Sequence, residues 1–286
     1  MTTRGEAVAK QTGSVEHWVE SEVPLIFQMF AGTSFVLMLL PVCIVVLSAL
    51  NAGEYLTFPP QGFSLRWIKA FLSNEMFVRS YLISFGMALF TCVIATLTGT
   101  MAAIFMTRVD FPGRALLRAF FLSPLMLPGT VVGLALYIYY LGLGIGLSRS
   151  LGGLLVGHIL ATTPFVIGTV SAALYSFDIS LEEAARSLGA GPMTAFWKVT
   201  FPIIRPGIVA GAIFAFIISF GQFDLSLFLS TPDLTPLPIQ IYISLRYKFE
   251  PTAAAAGLFA ILLVVLSTWL IGRITDLGRF AGLKFS

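Results

Sequence analysis

Asp224 is the residue whose chemistry most needs explaining. It is the one formal charge between Arg205 and Asp233, in a stretch that is otherwise apolar. Taking a carboxylate toward the centre of a bilayer costs at least ~2.5–3.5 kcal/mol on insertion scales, so such a residue marks a function by default. A carboxylate wall suits a passing cation. A hydrated position near the membrane surface, or a pairing with a partner subunit, explains it equally well. Gln222 and His158 are the other polar residues that a substrate path through this region would use, and a neutral, hydrogen-bonded His158 is the simpler reading of that residue. Catalytic chemistry finds no footing. His17 and His158 are far apart, no H-E-x-x-H occurs, and Cys43 and Cys92 fall in apolar stretches with no metal-site spacing. No G-x-x-x-x-G-K-[ST] phosphate loop is present, so ATP-Mg is bound and hydrolysed elsewhere if it is used at all.

The elements that hold these residues have lipid as their solvent. Of 286 residues, 57% are hydrophobic and only 11% charged, with a mean hydropathy of +0.91; soluble domains carry about 25% charged residues to cover a wet surface. High hydrophobicity excludes disorder, and a net charge of +3 without a basic cluster excludes a nucleic-acid partner. Uncharged stretches run from Glu22 to Glu54, Arg79 to Arg108, Arg118 to Arg149, Arg149 to Asp178 and Glu250 to Arg273; the Asp224 stretch makes a sixth. Each is long enough for the ~20 residues that a helix needs to cross ~30 Å of hydrocarbon. Runs such as Val36–Leu40 are apolar on every side, unlike the alternating strands of a barrel. The expectation is an all-α membrane protein with six transmembrane helices.

Six spans put both termini on one side. Arg108, Arg114, Arg118, Arg186, Lys198, Arg205, Arg273, Arg279 and Lys284 fall on the side of the N-terminus, against Arg66, Lys69, Arg79, Arg149, Arg246 and Lys248 opposite. Positive residues stay inside, so both termini are expected in the cytoplasm. Residues 1–24, with Glu6, Glu16, Glu20 and Glu22, read as a cytoplasmic segment and not a cleavable signal. Residues 25–276 read as the transmembrane domain and 277–286 as a cytoplasmic tail. Gly129/Gly133, Gly153/Gly157 and Gly207/Gly211 are spaced to let helices approach closely.

The cytoplasmic loop of residues 177–206 has structure written into it. Ser180-Leu181-Glu182-Glu183 reads as a capping box. The helix it opens carries Leu181, Ala184, Ala185 and Leu188 on one face, with Glu182 and Arg186 elsewhere. Gly189 stands where a left-handed cap needs a residue without Cβ, and Gly191-Pro192 restarts a helix. A small helix with an alanine-lined face suits a partner's groove.

Glu183-Ala184-Ala185, three residues, Gly189, nine residues, then Val199-Thr200-Phe201-Pro202 resembles the EAA signature of ABC-importer permease subunits, E-A-A, G and I-x-L-P at the same spacing. Val199 and Phe201 depart conservatively. Ser219-Phe220-Gly221-Gln222-Phe223-Asp224, Leu237-Pro238-Ile239-Gln240 and Gly62-Phe63-Ser64-Leu65-Arg66-Trp67 are similar to the C-type permease of spermidine/putrescine importers. The resemblance implies a type I ABC importer transmembrane domain in a bacterial inner membrane. It implies a cytoplasmic ATPase dimer, a second permease subunit in a heterodimer, and a periplasmic solute-binding protein. Residues 181–188 would be the coupling helix seated in the ATPase, with Glu183, Ala184, Ala185, Leu188, Gly189 and Pro202 as its coupling residues. Polyamine is the first solute, with opines, amino-acid derivatives and phosphonates as alternatives. An ion-coupled secondary transporter is the competing class, though such carriers usually hold several intramembrane acids.

Overall fold

The computed structural model describes residues 25–55, 59–247 and 250–275. The N-terminal segment 1–24, the tail 277–286 and Lys248 lie outside the described residues. The described chain is helical, with isolated bridges pairing Asn51 with Phe63 and Thr231 with Leu234. The helices are α1 (Leu25–Ala49), α2 (Arg66–Ser73), α3 (Glu75–Arg108), α4 (Arg114–Leu122), α5 (Gly129–Leu143), α6 (Leu151–Tyr175), α7 (Ser180–Ser187), α8 (Pro192–Phe220), α9 (Asp224–Leu229), α10 (Leu237–Tyr247) and α11 (Thr252–Thr275). Of the described residues, 25–47 fall in one unit and those from 48 onward in a second. In the first, α1 is apolar all round, with Pro41 inside it.

In the second unit, α3, α6 and α8 pack together. Lipid gives no hydrophobic drive for helices to associate, so close van der Waals approach between small residues must supply it. The shared core is accordingly fine-grained: Ala95, Ala103, Val166, Val170, Ile204 and Ala215 are buried in one cluster. A Cβ placed on Gly207 would come within 2.7 Å of Ala173 Cβ, and one on Gly211 within 3.0 Å of Val166 Cα. A second cluster gathers Trp67, Phe71, Phe77, Phe216, Phe220 and Leu237 with Ala255 and Ala256 of α11. Arg79 Nη2 donates to the Asp233 carbonyl at 3.1 Å, and the Leu237 amide donates to Ser84 Oγ at 2.8 Å, tying the start of α3 to the segment ahead of α10.

Among the described residues, five helices are long and apolar enough to span a membrane, or six if the bent pair α4–α5 is one span. The expected third span, Arg118 to Arg149, is instead a pair: α4 with a 3₁₀ turn at Ser123–Leu125, then α5, bent by 104°. Proline explains the break. Pro124 sits in the 3₁₀ turn, and Pro128 takes the extended cap position ahead of α5 at φ −56° and ψ 129°. Proline lacks the amide to continue a helix. The 15 residues of α5 then reach roughly 22 Å.

The fifth span also begins earlier than its uncharged stretch. α8 runs unbroken from Pro192, through a π turn at Phe196–Thr200, past Pro202 and Pro206. The wider π ring is one of the local adjustments by which a helix accommodates prolines.

Candidate functional site

The loop between α6 and α8 is built by capping chemistry. Asp178, not Ser180, caps α7: its Oδ1 accepts from the Ser180 amide at 3.0 Å. The amide and hydroxyl of Ser180 hold that carboxyl below its usual value. The expected Ser180–Glu183 box is not formed. Ser180 already stands inside the helix, and the Glu183 amide donates to the Ile179 carbonyl at 3.2 Å. At the other end Gly189 has φ +92°, its amide donates to the Arg186 carbonyl at 3.0 Å, and the Ala190 amide reaches the Ala185 carbonyl at 3.1 Å. This pair of bonds closes a helix through a left-handed glycine.

Leu181, Glu183 and Ala184 are exposed on α7 and Ala185 is half-buried, while Leu188, just past its end, is 90% exposed. Beyond the turn, Met193, Trp197 and Pro202 are exposed as well. Large apolar side chains offered outward in this way mark a surface to be covered.

Glu182 turns the other way. Its side chain is 14% exposed, and Oε2 lies 2.6 Å from Arg108 Nη1 at the end of α3. Thr200 Oγ1, fully buried in the π turn of α8, donates to the same oxygen at 2.7 Å, and Arg108 Nη2 donates to Thr200 Oγ1 at 3.3 Å. The Arg108 guanidinium also lies 5.6 Å from the Phe177 ring, just past the end of α6. Burial by itself raises the Glu182 pKa. The hydrogen bonds from Thr200 and Arg108 and the charges of Arg108 and Arg186 outweigh it, leaving the carboxyl below its usual value. Nothing local in the sequence announces this network, because its members are 74 and 18 residues apart.

The Asp224 region forms where two broken helices meet. α8 ends at Phe220, and Asp224 opens the short α9 after three non-helical residues, so the carboxylate stands at a break and not within a continuous span. It is exposed, and Gln222 is half-buried. Both line a cavity of about 200 Å³ with Pro124, Leu125 and Gly129 from the α4–α5 break, and with Ala161 and Phe165 of α6. Gly129 makes room for the carboxylate: a Cβ there would sit 2.8 Å from Asp224 Cβ and 2.9 Å from Oδ2. A second cavity, about 570 Å³, is lined by apolar residues such as Phe120, Phe121, Val156 and Leu160, together with Thr98, Ser123 and Thr163.

His158 does not line the Asp224 cavity. It is 1% exposed, with Nδ1 2.9 Å from Ser219 Oγ and Nε2 3.2 Å from Ser226 Oγ. Ser226 Oγ also donates to the Gln222 carbonyl at 2.7 Å, so the ring and the two hydroxyls form one buried network. The ring therefore ties α6 to α8 and α9.

A family model described as a binding-protein-dependent transport system inner membrane component matches residues 95–277. The chain belongs to this family. The permease is 28% identical over 258 residues to the spermidine/putrescine transport system permease protein PotC of Escherichia coli K12, covering 89% of this chain and 97% of PotC. It is 32% identical over 197 residues to the trehalose transport system permease protein SugB of Mycobacterium tuberculosis, covering 68% of this chain and 71% of that one. Its fold is similar to a chain in the crystal structure of a bacterial ABC transporter involved in the import of the acidic polysaccharide alginate. The TM-score is 0.64 at 17% identity, over 96% of this chain and 98% of that one. The permease thus has the all-α transmembrane-domain fold of an ABC importer, as its residues led one to expect.

Proposed function

We propose that this permease forms half of the pore of an ATP-driven importer that carries a polyamine, such as spermidine or putrescine, from a binding protein into the cytoplasm. The observation that carries the reading is α7, a short capped helix with an outward apolar face, closed by Gly189 and projecting from a packed bundle. A cytoplasmic ATPase dimer docks there, through Glu183, Ala184, Ala185, Leu188 and Gly189, with Pro202 about three turns into the following helix. ATP hydrolysis belongs to that partner. The excess of Lys and Arg on this side supports a cytoplasmic loop and cytoplasmic termini. A related second permease completes the pore, and an extracytoplasmic binding protein delivers the solute.

Polyamine is favoured by the near full-length match to PotC and by Asp224, whose carboxylate at the cavity suits an ammonium group. Gln222 offers a neutral polar neighbour, and His158 serves the path by holding the helices that form it. A neutral sugar is the second reading, since the trehalose permease is the more identical over its shorter match. The test is gentle detergent purification from the native membrane, mass spectrometry of what co-elutes, and uptake of labelled spermidine by the reconstituted complex. An ATPase, a second permease and spermidine uptake support the proposal. Uptake of trehalose without spermidine would move the solute to sugars. A lone chain without ATPase would overturn the importer reading and return attention to ion-coupled transport.

A further inference from the structure

We propose that Arg108, Glu182 and Thr200 form a transmission clamp that welds the loop helix α7 to the ends of the spanning helices, so that movement of α7 becomes movement of the bundle. The inference rests on the importer reading of α7 and concerns the face of that helix opposite its docking surface.

Its basis is the convergence of four segments on one guanidinium. Arg108 ends α3, Phe177 follows α6, Glu182 belongs to α7, and Thr200 closes the π turn of α8. α3, α6 and α8 are the packed core of the second unit, so the clamp joins α7 to the three helices whose relative positions define that core. α7 otherwise exposes much of its surface and is linked to α8 by the turn at Gly189. A push delivered to so exposed a helix would be absorbed at its flexible ends unless something stiff held it. The Glu182 carboxylate accepts two hydrogen bonds, one from a cation, at 2.6 and 2.7 Å. Charge-assisted bonds of this kind are the short, strong ones. The site is also half-shielded, with side chains 24% and 14% exposed for Arg108 and Glu182, so solvent screens it less than a surface pair. Glu182 is therefore a positioning residue: its carboxylate is taken up by Arg108 and Thr200, and it acts by fixing the helix that carries the docking residues.

The test uses the assembled importer in liposomes, with the binding protein purified from the same cells carrying its own solute, so that the solute need not be known. Three quantities are read: ATPase retained in the complex, basal hydrolysis, and the fold by which the binding protein stimulates hydrolysis. Glu182→Gln, which keeps size and one acceptor, and Arg108→Ala are expected to retain the ATPase and the basal rate. Stimulation should fall by roughly fivefold or more, the low end of coupling between distant sites. The double variant Arg108→Ala/Glu182→Ala should be no worse than either single change, as for residues that act as one unit. The exchanged pair Arg108→Glu/Glu182→Arg should recover part of the loss. Stimulation unchanged in both single variants would overturn the clamp. So would loss of the ATPase or of basal hydrolysis, since either makes the network a docking or folding element. A wild-type preparation free of ATPase would fail earlier, by removing the importer reading itself.

Discussion

Glu182 is a carboxylate whose surroundings favour its charged form, and its titration has a definite sign. Its pKa in the folded protein lies below the ordinary value of 4.5. The stability it contributes is thus fully present above that value and is lost as pH falls through the lower, folded value. Asp178 acts in the same sense. Acidification below about 4.5 should therefore lower the Tm of the purified complex, and Glu182→Gln should show a smaller part of that fall. An identical pH profile for wild type and variant would refute the assignment. Gly189 is the second residue whose role is local. Its φ of +92° is strained for any side chain, while a Cβ there meets nothing within 4 Å, so backbone strain alone is at issue. Gly189→Val should insert normally but lose binding-protein-stimulated hydrolysis, with a strain of roughly 1–3 kcal/mol. Gly189→Asn should retain much more, because asparagine tolerates the left-handed region. Equal behaviour of the two variants would show that the turn's conformation is not what matters.

Two broken helices share one cavity, and that is a property of elements. The α4–α5 break is set by Pro124 and Pro128, and the α8–α9 break leaves Asp224 at a helix start. Where helices break within a bundle, freed polar groups line a cavity instead of facing lipid. Gly129 is a close contact between the two breaks, and its missing side chain is the space the carboxylate occupies. Gly129→Val should displace Asp224 and reduce solute uptake severely while leaving the ATPase bound, since α7 lies on another part of the chain. Uptake at the wild-type rate would show that the two breaks do not form the path. The same contact was beyond reach of the sequence, where Gly129 reads only as one of a pair of small residues.

At the scale of the whole permease, the function proposed above gives recognition and hydrolysis to other chains and translocation to this one. Solute choice should therefore respond weakly to most substitutions here and strongly to the few that face the cavity. Asp224→Asn should lower uptake of labelled spermidine by tenfold or so, the effect of about 1.4 kcal/mol, with stimulated hydrolysis largely preserved. If both solute uptake and stimulation fell together, Asp224 would belong to the fold or to the subunit interface and not to the path.

The sequence by itself determined the helical class, the apolar segments, the loop helix α7 and its left-handed glycine. These follow from hydropathy, from 3.6-residue periodicity and from turn chemistry, all of which act over a few neighbouring residues. Even there, the cap moved from Ser180 to Asp178, because two acceptors two residues apart compete and only the start of the helix decides between them. The tertiary structure decided the rest: the bend between α4 and α5, the seating of Asp224 against Gly129, the two serines on His158, and the Arg108–Glu182–Thr200 network. Hydropathy says that a segment dissolves in lipid, but not which of its faces meets which neighbour. When the solvent is as apolar as the side chains, that choice rests on close contacts and hydrogen bonds between residues far apart in the chain.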